Sequence, residues 1–336
     1  MRVLFDHSSP FVLSHGGFQI QIEQTAAALQ SLGVEVEFLR WWDESQRGDL
    51  IHYFGRPTGT YVQLAQQKGM KVIIADLLTE LGSRSRSRRL AQKTLVESVR
   101  RLLPRSFTLR MAWDAFAKAD AVIALTGWEA QLMREMFNAP PEKTHVVPNG
   151  VEEVFLRAEP RPRGPWLVCT ATITPRKRVL ELAQAAVAAQ VPTWIIGKAY
   201  ASGDPYAKQF EQIARDYPRW VRFEGPVQDR GRLAEIYREA RGFVLLSTME
   251  SLSLSALEAA ACACPLLVSD LPWAKTTFGA AASYCPVQAG TDRTAGVLKK
   301  FYDQAPQLPP PPLPPSWAEV AEEFRALYAR LLNTSA

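Results

Sequence analysis

Short apolar runs alternate with amphipathic stretches along the whole chain, and the alternation restarts once near the middle. In the first half, residues 2–6 (RVLFD), 34–39, 49–54 (DLIHYF), 71–75 (KVIIA) and 120–125 (DAVIAL) read as strands, and residues 20–32 as a helix that Gly33 ends. Thr126 with Glu129 three residues on is a capping box that opens a helix over 130–137. Residues 145–148 close this half at the turn signal Asn149-Gly150. The second half offers strands at 166–170, 193–196, 221–223, 242–246 and 265–268, with helices at 179–189, 207–216, 231–240 and 254–263 between them. Such spacing needs parallel strands joined by crossover helices, so the fold class is α/β with two Rossmann-like, doubly wound domains facing across a cleft. The expected division is 1–152, 153–315 and a last segment, 316–336. Residues 306–315 (PQLPPPPLPP) cannot form helix or central strand and predict a stiff extended connector. Ser316 and Glu319 then form a second capping box, whose helix is expected to cross back to the first domain.

Composition removes several function classes. No apolar run approaches the ~20 residues needed to span a bilayer, and Asp6 and His7 arrive too early for a signal peptide. A cytoplasmic protein is expected. Cys262 and Cys264 stand two apart in an Ala-rich run, which with Cys169 and Cys285 reads as buried reduced thiols. The four histidines show no paired spacing and no Asp-x-Asp occurs, so no protein-held metal is expected. The net charge of +5 is concentrated: nine of the cations lie between Gly82 and Arg110, with Glu97 the only acid there. The stretch reads as a solvated face, or as a surface for an anionic membrane or anionic acceptor. Aromatic residues are not interleaved with these arginines as stacking platforms, which argues against nucleic acid.

Three constellations carry chemistry. Gly16-Gly17 lies between the first strand and first helix, where glycines let backbone N–H groups approach a phosphate. Glu250-Ser251-Leu252-Ser253-Leu254-Ser255-Ala256-Leu257-Glu258 follows the strand at 242–246, at the carboxyl end of the second sheet. Were the whole segment helical, the two carboxylates would stand roughly 12 Å apart, too far for a glycosidase pair but suited to two grips on an extended ligand. Pro175-Arg176-Lys177-Arg178 follows the strand at 166–170, and three cations opening a helix oppose its dipole and call for a nearby anion.

In this order, with Val147-Pro148-Asn149-Gly150-Val151 and Phe223-Glu224-Gly225-Pro226-Val227 between them, these motifs resemble the GT-B glycosyltransferases, and within them the retaining glycosyltransferase family 4. The resemblance implies transfer of a hexosyl-type sugar from a nucleoside diphosphate sugar to a sugar, glycan or lipid-linked acceptor, with no cofactor and no metal. It implies that Glu250 contacts donor sugar hydroxyls and Glu258 the ribose, and that Ser251, Leu252, Ser253 and Leu254 line the donor loop. Lys177 would neutralise the diphosphate, Gly16 and Gly17 would approach it from the first domain, and Val227 would flank the base. The family's Arg preceding the Lys is missing from residues 170–173, so Arg176 or Arg178 must substitute. On the acceptor side His15 and Asp76 are the candidates, Asp76 standing where the family has a histidine. Ser251, Ser253 and Ala263 occupy positions that are commonly glycine. Those departures keep a second reading open, a catalytically impaired binding or partner subunit, and a third, a nucleotide-sugar epimerase.

Overall fold

Runs such as Val72-Ile73-Ile74 and Phe243-Val244-Leu245 carry no polar face, which suits only strands covered on both sides. The computed structural model, which describes residues 1–12, 16–102, 112–157, 161–201 and 203–333, places such strands at the centre of two parallel sheets. The first contains β1 (Arg2–His7), β2 (Glu35–Phe38), β3 (Leu50–Phe54), β4 (Lys71–Ala75), β5 (Ala121–Ala124) and β6 (Thr144–Val146), in the order β2-β1-β3-β4-β5-β6. The second contains β7 (Leu167–Thr170), β8 (Thr193–Ile196), β9 (Val221–Phe223), β10 (Gly242–Leu245), β11 (Leu266–Ser269) and β12 (Ala282–Cys285), in the order β12-β11-β10-β7-β8-β9. Both sheets are thus doubly wound, as the alternation required. In each the chain leaves one strand to build outward on one side and later returns to its other side. The reversal falls between β1 and β3 in one sheet and between β7 and β10 in the other, and ligands of open α/β sheets bind outside the carboxyl ends at such points.

The chain separates into two compact units, residues 1–150 with 317–336, and residues 151–316. The first unit packs Leu4, Ile51, Ile74 and Val122 of its sheet against helix residues such as Leu132 and Met133. The second packs Leu167, Ile195, Val244 and Leu267 against Leu182, Phe210 and Leu298. The proline-rich segment opens with a short 3₁₀ turn, Ala305–Gln307, before becoming extended. The helix Trp317–Asn333 then returns to the first unit and buries Trp317, Val320, Phe324, Leu327 and Tyr328. Thr126 caps its helix as expected, accepting from the Glu129 amide at 3.2 Å. The Glu129 carboxylate accepts from the amides of Leu125 and Leu78, each at 3.0 Å, and so ties two loops together. All four cysteines are buried free thiols, and burial pushes Cys169, Cys262 and Cys264 up to about 12. The edge strand β12 and the helices Pro272–Phe278 and Thr291–Gln304 lie outside the expected elements. The half-buried Ala-Ser-Tyr of β12 makes no apolar run.

Closure of the first unit brings His52 of β3 against the last helix. Its ring is fully buried, stacked on Phe54 at 4.2 Å between centroids, and its Nδ1 is hydrogen-bonded to the Tyr328 hydroxyl at 2.7 Å. Burial pushes its pKa down to about 3, so the folded chain holds it neutral where the unfolded chain protonates it. Its contribution is complete above the unfolded value near 6.5 and declines as pH falls toward the folded value. Between about pH 6.5 and 5, above the carboxylate range, this residue contributes a loss of up to about 1.4 kcal/mol per pH unit. Urea unfolding across that window should show the slope in the native chain, and a flatter one in His52→Leu.

Candidate functional site

The loops that leave β7 and β10 flank the reversal point of the second sheet, and this adjacency builds the site. Beyond β7, Ala171 and Ile173 continue the ladder, donating to the carbonyls of Ile196 and Lys198 at 3.0 Å each. Gly197 permits this approach: a Cβ there would lie 1.9 Å from the Ala171 carbonyl oxygen. The chain then turns at Thr174, whose carbonyl accepts from the amides of Lys177 at 3.0 Å and Arg178 at 3.1 Å. From the other loop, the Thr248 amide donates to the Arg176 carbonyl at 2.8 Å.

With the loops joined, three of the expected residues meet. The Lys177 ammonium pairs with Glu250 Oε1, and the Arg176 guanidinium reaches the same oxygen and the Met249 carbonyl, each at 3.2 Å. The Glu250 and Lys177 side chains keep only 10% and 13% of their exposure, against 37% for Arg176. The anion that the basic turn calls for is therefore Glu250 itself. Arg178 is turned elsewhere: its side chain is buried, donates to the Ala289 carbonyl at 2.8 Å, and its backbone is left-handed at φ 54°. Of the two candidate replacements for the missing arginine, only Arg176 stands beside Lys177 and Glu250.

Glu250 and Glu258 do not share a helix, so the straight-helix separation does not apply. Residues 250–253 form a loop, and the helix Leu254–Ala261 starts after Ser253, whose hydroxyl caps it by accepting from the Ala256 amide at 3.4 Å. Ser251 and Leu252 are buried and Leu254 is half-buried. The first amides of a helix have no partner within it, which leaves this end suited to anions. Ala263 adopts φ 53° after that helix, a left-handed conformation that explains why glycine is common there.

Glu258 points inward from this helix and is buried. One oxygen pairs with the Arg230 guanidinium and the other accepts from the Tyr237 hydroxyl at 3.4 Å, which also donates to Thr170 Oγ1 at 2.8 Å. Arg230 bridges to Glu152 Oε1 at 2.9 Å and lies over the Phe155 ring at 4.7 Å. Burial raises the Glu258 pKa, with Arg230 opposing it. Burial also acts to lower that of Arg230, but Glu258 and Glu152 outweigh it and the net shift is upward. Val227 is half-buried in the turn that follows β9 and precedes the helix Arg230–Glu239.

In the first unit Gly16 has φ 141° and Gly17 opens the helix Gly17–Ser31, at the carboxyl end of β1. His15 lies outside the described residues. Asp76, at the end of β4, pairs with Arg56 Nε at 2.9 Å, and the Arg56 guanidinium lies 4.2 Å over Phe137. Burial raises the Asp76 pKa, partly offset by Arg56. The buried Asp6 accepts from the Tyr61 hydroxyl at 2.7 Å and the Trp41 indole at 3.3 Å.

Sequence reasoning missed Arg230, Tyr237 and Glu152. Arg230 had a usable signal, because it opens a helix just beyond a strand, where a cation again opposes the dipole. Tyr237 reads as an ordinary core residue, and Glu152 is remote in sequence from the groups it serves.

A model of the glycosyl transferases group 1 matches residues 164–291, and a model of the glycosyl transferase 4-like domain matches residues 37–150. The D-inositol 3-phosphate glycosyltransferases of Jonesia denitrificans and Actinosynnema mirum are similar at 31% and 32% identity, over 46% of this chain in each case. The matched part spans 42% of the length of each relative. Among solved structures, sucrose-phosphate synthase from Thermosynechococcus elongatus superposes with a TM-score of 0.65 at 19% identity, covering 99% of both chains. Anabaena Alr3699/HepE in complex with UDP gives 0.64 at 16% identity, covering 98% of this chain and 100% of its own. Each unit thus contains a stretch that matches a glycosyltransferase model, and the fold is GT-B.

Arg230 is the residue on which the charge of Glu258 depends. Arg230→Ala should destabilise the chain by about 2 kcal/mol at pH 8, less than the 3–5 kcal/mol of a fully buried pair because the guanidinium still meets water. Without Arg230, folding raises the Glu258 pKa further, so stability falls as pH rises from the unfolded value through the folded one. The deficit in urea unfolding should therefore be smaller at pH 5 than at pH 8. An equal deficit at both would mean that Glu258 does not carry the cost.

Proposed function

We propose that the chain transfers a sugar from a nucleoside diphosphate sugar to an acceptor hydroxyl, with retention at the anomeric carbon and without a metal ion. The observation that carries this reading is the Glu250–Lys177–Arg176 cluster at the carboxyl ends of β7 and β10. A carboxylate beside two cations, at the mouth of a doubly wound sheet and next to a helix N-terminus, matches a sugar joined to a diphosphate. The group 1 match over residues 164–291 supports it, as do the structural neighbours crystallised with UDP and with UDP-glucose.

On this reading Glu250 accepts hydroxyl hydrogens of the donor sugar, while Lys177 and Arg176 take the diphosphate together with the amides of Ser253 and Leu254. Ser251 and Leu252 shape the donor loop. Glu258, held ionised by Arg230, accepts from the ribose hydroxyls, and Val227 flanks the base. Gly16 and Gly17 let backbone approach the diphosphate. The acceptor is a sugar, glycan or lipid-linked hydroxyl. Its oxygen bonds to the anomeric carbon on the face from which the diphosphate leaves, and its proton passes to the departing diphosphate oxygen. Charge that a metal would otherwise supply comes from Lys177 and Arg176. Asp76 is committed to Arg56 and is not assigned to proton transfer. That pairing, at the position of the family's histidine, is also what favours the second reading, a binding or partner subunit.

Calorimetry in the presence of a chelator should show a nucleoside diphosphate binding to the full chain. Lys177→Ala should weaken that binding and lower turnover by about 10²-fold or more. Glu250→Ala, which frees Lys177 and Arg176 from their carboxylate, should tighten nucleoside diphosphate binding while lowering turnover of the sugar donor to a similar extent. Full activity in both variants would defeat the site assignment. Donor binding with neither transfer nor donor hydrolysis by the purified native chain would favour the partner-subunit reading.

A further inference from the structure

The helix Arg86–Leu102 is the one long element of the first unit with no buried residue among its described side chains. An isolated helix of this length is marginal in water, and most helices in proteins are held by a packed apolar face. Here the face toward the body is only half-buried, at residues 89, 92, 93, 96 and 99. Arg89 lies over the Trp128 ring at 4.6 Å, and Lys93 forms a long ion pair with Glu97 at 4.0 Å.

The outward face is unlike an ordinary solvated one. Leu95 and Leu102 keep 64% and 81% of their exposure, and Leu90 keeps 56%. Arg88, Leu95 and Leu102 stand seven residues apart, along one line of the helix. Arg88 continues that line and Arg101 flanks it, both exposed, and among the described residues neither forms an ion pair. Apolar side chains standing out between unpaired cations match a surface that is anionic at its plane and apolar just beneath it. Arginine stems can lie along the apolar region while their heads remain at the charged plane.

We propose that Arg86–Leu102 lies in the headgroup region of an anionic bilayer, inserting Leu95 and Leu102 while Arg88 and Arg101 face the lipid phosphates. The peripheral contact needs no membrane span, and among the described residues no helix is long and apolar enough to cross one. The proposal is independent of the transferase reading, since binding is measured without donor or acceptor.

The test is co-sedimentation of the full chain with vesicles of phosphatidylcholine alone, or with about 30% phosphatidylglycerol. The native chain should pellet with the anionic vesicles only, and less so as salt rises from about 0.1 to about 1 M, which shortens the screening length from about 10 to about 3 Å. Each cation near such a surface contributes about 1 kcal/mol, or about fivefold, so R88S/R101S should weaken partitioning about 25-fold. L95S/L102S should weaken it with all cations in place. Native thermal unfolding of both variants keeps the comparison fair, because none of the four side chains is buried. Equal pelleting with neutral vesicles, or no pelleting at all, overturns the proposal. So does full binding by L95S/L102S, which would reveal a general polyanion patch and not an inserted helix.

Discussion

A carboxylate in the interior of the second unit organises much of what surrounds it. Glu258 sits on a helix whose other inward residues are alanines and leucine, where an isolated charge would be neutralised by protonation. Arg230 meets it and opposes that protonation, and Arg230 is itself held by Glu152 and by the Phe155 ring. The same helix is capped by Ser253, at the end of the loop that carries Glu250. One buried charge thus constrains an arginine on the neighbouring helix, a glutamate at the start of the unit, and the frame from which the loop 250–253 departs. Pairs of this kind add little to net stability, since the cost of burial offsets much of their attraction. Their effect is on geometry, holding an acceptor group in one place.

The second constraint is topological. Reversal between β7 and β10 puts two loops side by side that are separated by about 70 residues of chain. The amide of Thr248 joins them through the Arg176 carbonyl, so Lys177 and Glu250 meet on a backbone already fixed. No property of either loop alone brings the residues together. Parallel order does, and parallel order follows from apolar runs that must be covered on both faces.

Much of this was legible in the residues themselves. The strand 71–75 and the helix 179–189 appear with the expected bounds, because each is an unbroken apolar or Ala-rich run between turn signals. Three consecutive cations at a helix start announced a missing anion, and the anion is there. What pattern could not give is which of three adjacent cations turns away from Glu250. The left-handed backbone of Arg178 sends its side chain to the Ala289 carbonyl, more than a hundred residues on, and that is a consequence of tertiary closure. The same holds for β12, whose Ala-Ser-Tyr gains its strand character only from pairing with β11. Glu152 and Tyr237 became visible as parts of a site only once Glu258 was found buried between them.

The pairing of Lys177 with Glu250 bears on how such a site would act. A neutral ion pair at first looks poorly suited to holding a doubly charged diphosphate, since the carboxylate reduces the attraction of the ammonium for it. On the proposed reading that is a disadvantage in the ground state only. As the bond from the anomeric carbon to the diphosphate lengthens, positive charge grows on the sugar ring and negative charge on the leaving oxygens. Glu250 would then face the growing positive charge and Lys177 the growing negative one, so both members of the pair gain together. Interactions that strengthen only as charge separates lower the barrier, whereas those equal in both states merely tighten binding. On the same reading Arg176, more exposed and held also by the Met249 carbonyl, would offer the additional cation that lets the diphosphate bind while Lys177 remains shared.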